Sequence, residues 1–221
     1  MEEASCWERS LDLEPGTIDD LVGSALDTAC ATYADYGDQK SGYLLGHSRG
    51  VAGLAFRAAD AMSLSDDAKQ HLRLAALLHD VGRAGVASGL WDKPGELSSH
   101  ERQILESHNG HTETVLGSSA SLRPLEGAAG GVHERTDKTG YPRSNVLGDE
   151  STGLLAASDI YEALTHERPW RSAFEPTVAR DMLLEESKAG RLRRRAVTAV
   201  RDTAGHGKAR RATPPGSVSG R

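Results

Sequence analysis

The amino-acid sequence predicts an all-α fold. Three observations carry that prediction. Apolar residues recur at three- and four-residue intervals, good N-capping residues stand before those stripes, and no segment alternates apolar and polar residues as a half-buried strand would. Aromatic residues are only 5% of the 221, which disfavours sheet-rich folds and base-stacking platforms for nucleic acid. Neither an internal repeat nor a Gly-rich phosphate loop is found.

Residues 1–16 end in Glu-Pro-Gly and read as a leader. A helix is expected after Thr17, an N-cap followed by Asp19 and Asp20, with Ile18, Leu21, Val22, Ala25, Leu26 and Ala29 on its stripe. Gly37 and Gly42 interrupt that pattern. A second helix is predicted from Tyr43 to Ala61, its stripe running through Leu44, His47, Val51, Leu54 and Ala58. Ser65 caps a third, with Leu72, Ala75, Ala76 and His79 along one face and Gly82 at its end. Gly85–Gly95 is a loop containing a Trp91–Gly95 turn. Ser98 caps a fourth helix over Ser99–Leu116, with Glu101 completing a capping box. A fifth spans Leu122–Arg135. Thr136–Thr152, rich in Gly, Pro, Asp, Asn and Ser, reads as an excursion with a short hairpin. Helices over Gly153–Thr165 and Pro176–Ala189 complete a bundle of six to seven.

Composition narrows the setting. The net charge is −6, yet residues 191–221 carry nine Lys or Arg against one acid, Asp202. One domain over 17–190 followed by a basic, flexible tail is the expected organisation. Without a reading helix such a tail binds nucleic acid weakly and salt-sensitively, so nucleic acid is not expected as a partner. No apolar run reaches the roughly 18–20 residues of a membrane span. The acidic start, with neither a basic nor an apolar region, reads as cytoplasmic. Cys6 and Cys30 are too few for a disulfide framework.

The chemistry gathers on apolar faces. His79 and Asp80 adjoin at the end of a Leu/Ala-rich helix, His47 sits on the stripe of the preceding one, and His108, His133 and Asp159 fall on later helices or helix ends. One such His is more often a satisfied core residue than a ligand. Five together with a buried Asp are different, because an unpaired buried charge costs several kcal/mol. Imidazole and carboxylate without thiolate suit divalent ions such as Mn, Fe or Zn.

The segments GHSRGVAGLA, AALLHDVGRAGV, LWDKPGELSSHE, ESHNGH, VHERTDKTGYP and ASDIYEALTHERPWR resemble, in order, the motif blocks of the HD-GYP domain. This all-helical branch of the HD metal-dependent phosphohydrolases includes enzymes that hydrolyse cyclic di-GMP. The resemblance covers about residues 34–187. It implies an HD-domain bundle with an irregular GYP loop, and His47, His79, Asp80, His108, His133 and Asp159 as ligands of one or two divalent cations (Mn, Fe or other). Asp80 would bridge them, with a hydroxide shared between the ions as nucleophile. Tyr43 stands where relatives with a third metal carry Glu, so two is the expected ceiling. Arg83 would act beside Asp80 in catalysis and in binding phosphate. Arg168, Arg171 and Tyr141 would face the substrate, and Tyr141 offers a surface for a protein partner. Lys93 reads as a loop residue outside the site.

Two positions depart from the family pattern. Val132 replaces the first of two consecutive His, which removes a ligand, and Lys138 replaces a Gly, which strains the turn by roughly 1 kcal/mol if its φ is positive. His111, one turn from His108, could substitute as a ligand, but an exposed or cap-proximal role is expected of it. The basic tail resembles the connector to a LuxR-type helix-turn-helix in some HD-GYP proteins. The resemblance implies a metal-dependent phosphodiesterase for a cyclic dinucleotide, cyclic di-GMP first. The alternatives are an impaired regulator that binds metal, nucleotide or a protein, and an HD phosphohydrolase for another nucleotide.

Overall fold

The computed structural model describes residues 21–145 and 148–206. The helices are α1 Gly23–Asp38, α2 His47–Ala61, α3 Asp66–Leu78, α4 Ser88–Trp91, α5 Ser99–Glu106, α6 His108–Gly117, α7 Glu126–Gly130, α8 Glu150–Thr165, α9 Pro176–Lys188 and α10 Arg194–Arg201. Among the described residues there is no strand, only an isolated bridge between Arg168 and Arg171. The all-α expectation therefore holds. The hairpin expected within Thr136–Thr152 is absent from the described part of that segment, which runs through turns and bends into the start of α8.

Helix α2 is the centre of the core. Its buried Val51, Leu54, Ala55 and Ala58 pack against Leu72, Ala75 and Ala76 of α3 and Leu154, Leu155 and Ala157 of α8. Each fully buried Leu contributes about 1.5–3 kcal/mol relative to exposure. The alanines let the helices approach closely, so side chains at the ends of α2, α3 and α8 converge.

Several boundaries differ from expectation for identifiable reasons. The Thr17 cap and the leader lie outside the described residues. Helix α1 begins at Gly23, because Val22 is extended and 73% exposed and has no core to face. The helix expected from Tyr43 is broken by Gly46, whose φ of 80° makes it a left-handed cap for α2, and a short 3-10 turn precedes it. The Ser98 capping box forms as expected. Its helix is interrupted at Ser107, where side chains take two backbone carbonyls. The Ser107 hydroxyl donates to the Ile104 carbonyl and His108 Nδ1 donates to the Leu105 carbonyl. Helix α7 is shorter than the fifth helix expected, and Asp149 caps α8 three residues earlier than predicted.

The C-terminal region corrects the domain boundary. Leu192, Ala196, Val197 and Val200 are buried, and α10 packs on α2 and α8. The basic tail expected from residue 191 is therefore part of the folded body as far as the described residues reach. Arg194 and Arg195 lie on its exposed face. Residues 207–221 lie outside the described residues.

Candidate metal centre

Two short segments end in a His that turns back on its own backbone. His79 Nδ1 lies 2.7 Å from the Ala76 carbonyl oxygen, and His108 Nδ1 lies 2.6 Å from that of Leu105. A carbonyl only accepts, so each Nδ1 donates its proton there and Nε2 is the nitrogen left for coordination. Both Nε2 atoms point at Asp80. This is the orientation a metal-binding imidazole needs, with its other nitrogen held by a carbonyl.

The donors form two groups that share Asp80. In the first, His47 Nε2 is 3.1 Å from Asp159 Oδ1 and 3.6 Å from Asp80 Oδ2. His79 Nε2 is 2.8 Å from Asp80 Oδ2 and 3.7 Å from Asp159 Oδ1. In the second, His108 Nε2 is 3.1 Å from Asp80 Oδ1 and 3.1 Å from His133 Nε2, and His133 Nε2 is 3.9 Å from Asp80 Oδ1. Within each group the donor atoms lie within 4.8 Å of one another, and every contributing residue is buried.

The donors fit divalent cations. His79 Nε2 and both oxygens of Asp80 are buried and meet one another, His108 and Arg83, without directed hydrogen bonds, a state that coordination resolves. The charges agree. Burial alone would lower the His79 imidazole, but the negative charges of Asp80 and Asp159 outweigh it and raise it to about 10. Burial likewise opposes ionisation of Asp80, yet the Arg83 and His79 charges hold it well below the usual carboxylate range. Asp159 is held low against burial by His47 and His79. The two ionised carboxylates thus hold a proton on His79 that a bound divalent cation would displace.

Two glycines bring the second group to the first. A Cβ on Gly82 would sit 2.1 Å from the His108 carbonyl oxygen and 2.3 Å from the Thr112 nitrogen, so only Gly lets α6 dock on the turn after Asp80. Thr112 closes that contact, donating to the His79 carbonyl at 3.1 Å and accepting from Gly82 N–H at 3.0 Å. Gly140 plays the same part for the loop after His133, where a Cβ would meet the His133 carbonyl oxygen at 2.3 Å. Buried Glu134 anchors the rest of that loop, accepting from the N–H groups of Arg143 and Asn145 at 3.0 and 2.8 Å.

A cavity of about 180 Å³ opens over the donors, with Arg83, Tyr141 and Arg168 in its wall. Arg83 contacts Asp80 Oδ2 and lies over the Trp91 ring. Tyr141 stacks on His133 with centroids 4.7 Å apart, and burial, then the Asp80 and Asp159 charges, push its phenol up. Arg168 donates to the Tyr43 carbonyl at 2.6 Å. Burial first, then the Arg83 charge, lowers its guanidinium to about 10. A buried cation of that kind favours an anion beside it.

Arg171 is a correction. Its guanidinium donates to the Leu164, His166 and Ser172 carbonyls and lies 4.8 Å from the Phe174 ring, so it caps the end of α8 and does not line the cavity. His111 is exposed and packs over Gly85, apart from the donors. Lys93 pairs with Glu101 at 2.7 Å, outside the site as expected. Val132 is 1% exposed and belongs to the apolar core. Lys138 has φ 67°, so the residue that replaces Gly does occupy the left-handed region.

Sequence reasoning missed three contributors. Buried Asp38 accepts from the N–H and hydroxyl of Ser48, both at 2.8 Å, and so fixes the start of α2 beside His47. Trp91, read only as a turn residue, packs edge-on against His108. Trp170 lies in the cavity wall and is 50% exposed. An isolated Trp in a polar turn was the available signal for both aromatics.

Comparison with known proteins fits this architecture. The profile of the HD domain family matches residues 34–194, and the chain belongs to that family. It is 38% identical over 173 residues to 3'3'-cGAMP-specific phosphodiesterase 3 of Vibrio cholerae, covering 75% of this chain and 37% of that protein. It is 31% identical over 145 residues to a cyclic di-GMP phosphodiesterase of Pseudomonas aeruginosa, covering 62% of this chain and 34% of that one. The chain thus spans little more than a third of the length of these relatives. An HDG"Y"P protein from Bdellovibrio bacteriovorus shares the fold with a TM-score of 0.61 at 15% identity, over 81% of this chain and 63% of that one. No helix among the described residues is long and apolar enough to cross a membrane.

Proposed function

We propose that this chain is a metal-dependent phosphodiesterase that hydrolyses a cyclic dinucleotide, with His47, His79, Asp80 and Asp159 holding one divalent cation and Asp80, His108 and His133 a second. The observation that carries the reading is the shared Asp80, whose two buried oxygens each face one donor group. Divalent cations bound there would supply a water-derived nucleophile at neutral pH and neutralise charge on phosphorus. Arg83 holds Asp80 ionised and stands in the cavity wall. Arg168 presents a desolvated positive charge suited to a phosphate oxygen. Tyr141, stacked on His133, closes the side of the cavity and limits water there.

Cyclic di-GMP is the first substrate to test. The names of the Vibrio cholerae relatives make 3'3'-cGAMP the second. The test is anaerobic purification, loading with Mn(II) or Fe(II), and chromatography of the products from each dinucleotide. Turnover of either supports the reading, and turnover of neither by the metal-loaded chain contradicts it. Arg168→Ala should weaken substrate binding by about 1.5–3 kcal/mol, the range for a charge-assisted hydrogen bond, with kcat changed less. An unchanged KM would remove Arg168 from the site.

A further inference from the structure

The cavity over the donors is too small for a whole cyclic dinucleotide. At about 180 Å³ it falls below the roughly 300–1,000 Å³ usual for pockets that enclose drug-sized ligands. One phosphodiester and its near surroundings fill it, so the rest of the ligand must lie elsewhere. A second groove of about 430 Å³ is lined by Gly95, Glu96, Leu97, Arg102 and Trp170. Trp170 is the residue common to both walls.

The chemistry of that groove is specific. Trp170, shared by the two walls, is half exposed, so part of its aromatic surface is open to a ligand. Glu96 and Arg102 are exposed, and neither makes an ion pair or a side-chain hydrogen bond among the described residues, though both line the same groove. A free carboxylate and a free guanidinium lining one groove with an exposed indole suit guanine among the nucleobases. Guanine offers two acceptors, O6 and N7, to a guanidinium. It also offers the N1–H and N2–H donors of its other edge to a carboxylate. Adenine places an N6 donor where guanine has O6, facing Arg102 with the wrong sign.

We infer that the groove beside Trp170 is a guanine subsite, in which a nucleobase of the substrate stacks on Trp170 and is recognised by Arg102 and Glu96. The inference rests on the cyclic dinucleotide reading above and adds the base that the chain selects. It accommodates cyclic di-GMP and 3'3'-cGAMP alike, since each contains a guanine, and it disfavours cyclic di-AMP.

Stacking is tolerant of base identity and hydrogen bonding to base edges is not, so the two contributions separate by mutation. Binding of labelled cyclic di-GMP, 3'3'-cGAMP and cyclic di-AMP to the metal-loaded chain is measured by filter retention in the cold immediately after mixing. Turnover is followed in the same samples. The wild type should bind both guanine-containing dinucleotides at least about 10-fold more tightly than cyclic di-AMP. Arg102→Ala should erase that preference. Trp170→Ala should weaken all three ligands together, with Trp170→Phe recovering most of the loss. Arg102 and Trp170 are both exposed, so the variants keep their core. Equal affinity of wild type and Arg102→Ala for cyclic di-GMP overturns the guanine subsite, and turnover in the same samples then shows whether the phosphodiesterase reading survives. A wild type that binds all three ligands equally, or none of them, overturns the subsite as well.

Discussion

The two halves of the donor cluster share one carboxylate and are built differently. The four-donor half takes His47 from the start of α2, His79 and Asp80 from the end of α3, and Asp159 from within α8, all on helices that meet in the core. The three-donor half adds His108 from the start of α6 and His133 from the turn after α7. Its loop is kept in place by Gly140, Glu134 and the stacked Tyr141. Half of the centre is thus preorganised by packing, and the other half by a loop with one donor fewer. The account expects unequal affinity: one cation held tightly and one weakly.

Breaking the shared residue should have the largest effect. Asp80→Ala removes the carboxylate from both halves and should abolish both metal retention and phosphodiesterase activity. Metal analysis and activity on the same preparation check it. Full activity in this variant would mean that the centre lies elsewhere.

Strengthening the weaker half is the next test. Val132→His places an imidazole beside His133, where the HD-GYP pattern has a ligand. It should tighten the second cation at least roughly 10-fold. Because Val132 is buried in the apolar core, the variant should also melt at a lower temperature. Titration calorimetry with Mn(II) reads the affinity. An unchanged second site would show that donor number does not limit this half, and a rise in metal affinity without a rise in turnover would favour a regulator that binds without hydrolysing.

The smallest expected change concerns the loop backbone. Lys138 has φ 67° and its side chain is exposed, so Lys138→Gly should relieve about 1 kcal/mol of strain. Thermal unfolding measures it. A lower melting temperature would mean that the turn draws support from the lysine itself.

Much of this was legible in the sequence. The helical stripes placed His47, His79 and Asp159 on inward faces, and the Ser65 and Ser98 caps fixed two helix starts. What was not legible depended on contacts distant in sequence. Arg168 and Arg171 look equivalent in HERPWR, but they exchange backbone hydrogen bonds across a tight bridge, and only Arg168 lines the cavity. The break at Ser107 arises because His108 Nδ1 donates to the Leu105 carbonyl at the end of α5. The density of arginine after residue 190 hid the stripe of Leu192, Ala196, Val197 and Val200 that packs α10 onto the body. Glu134 reads as one acid among many until the loop it anchors is seen.

Asp80 joins a strong half and a weak half, and a count of retained metal reads that asymmetry. The chain is loaded anaerobically with excess Mn(II), dialysed against metal-free buffer, and analysed for metal per chain over successive exchanges. The account predicts a fall from two toward one, with the last cation retained. Two cations retained equally would contradict the asymmetry, and loss of both in the first exchange would contradict the four-donor site.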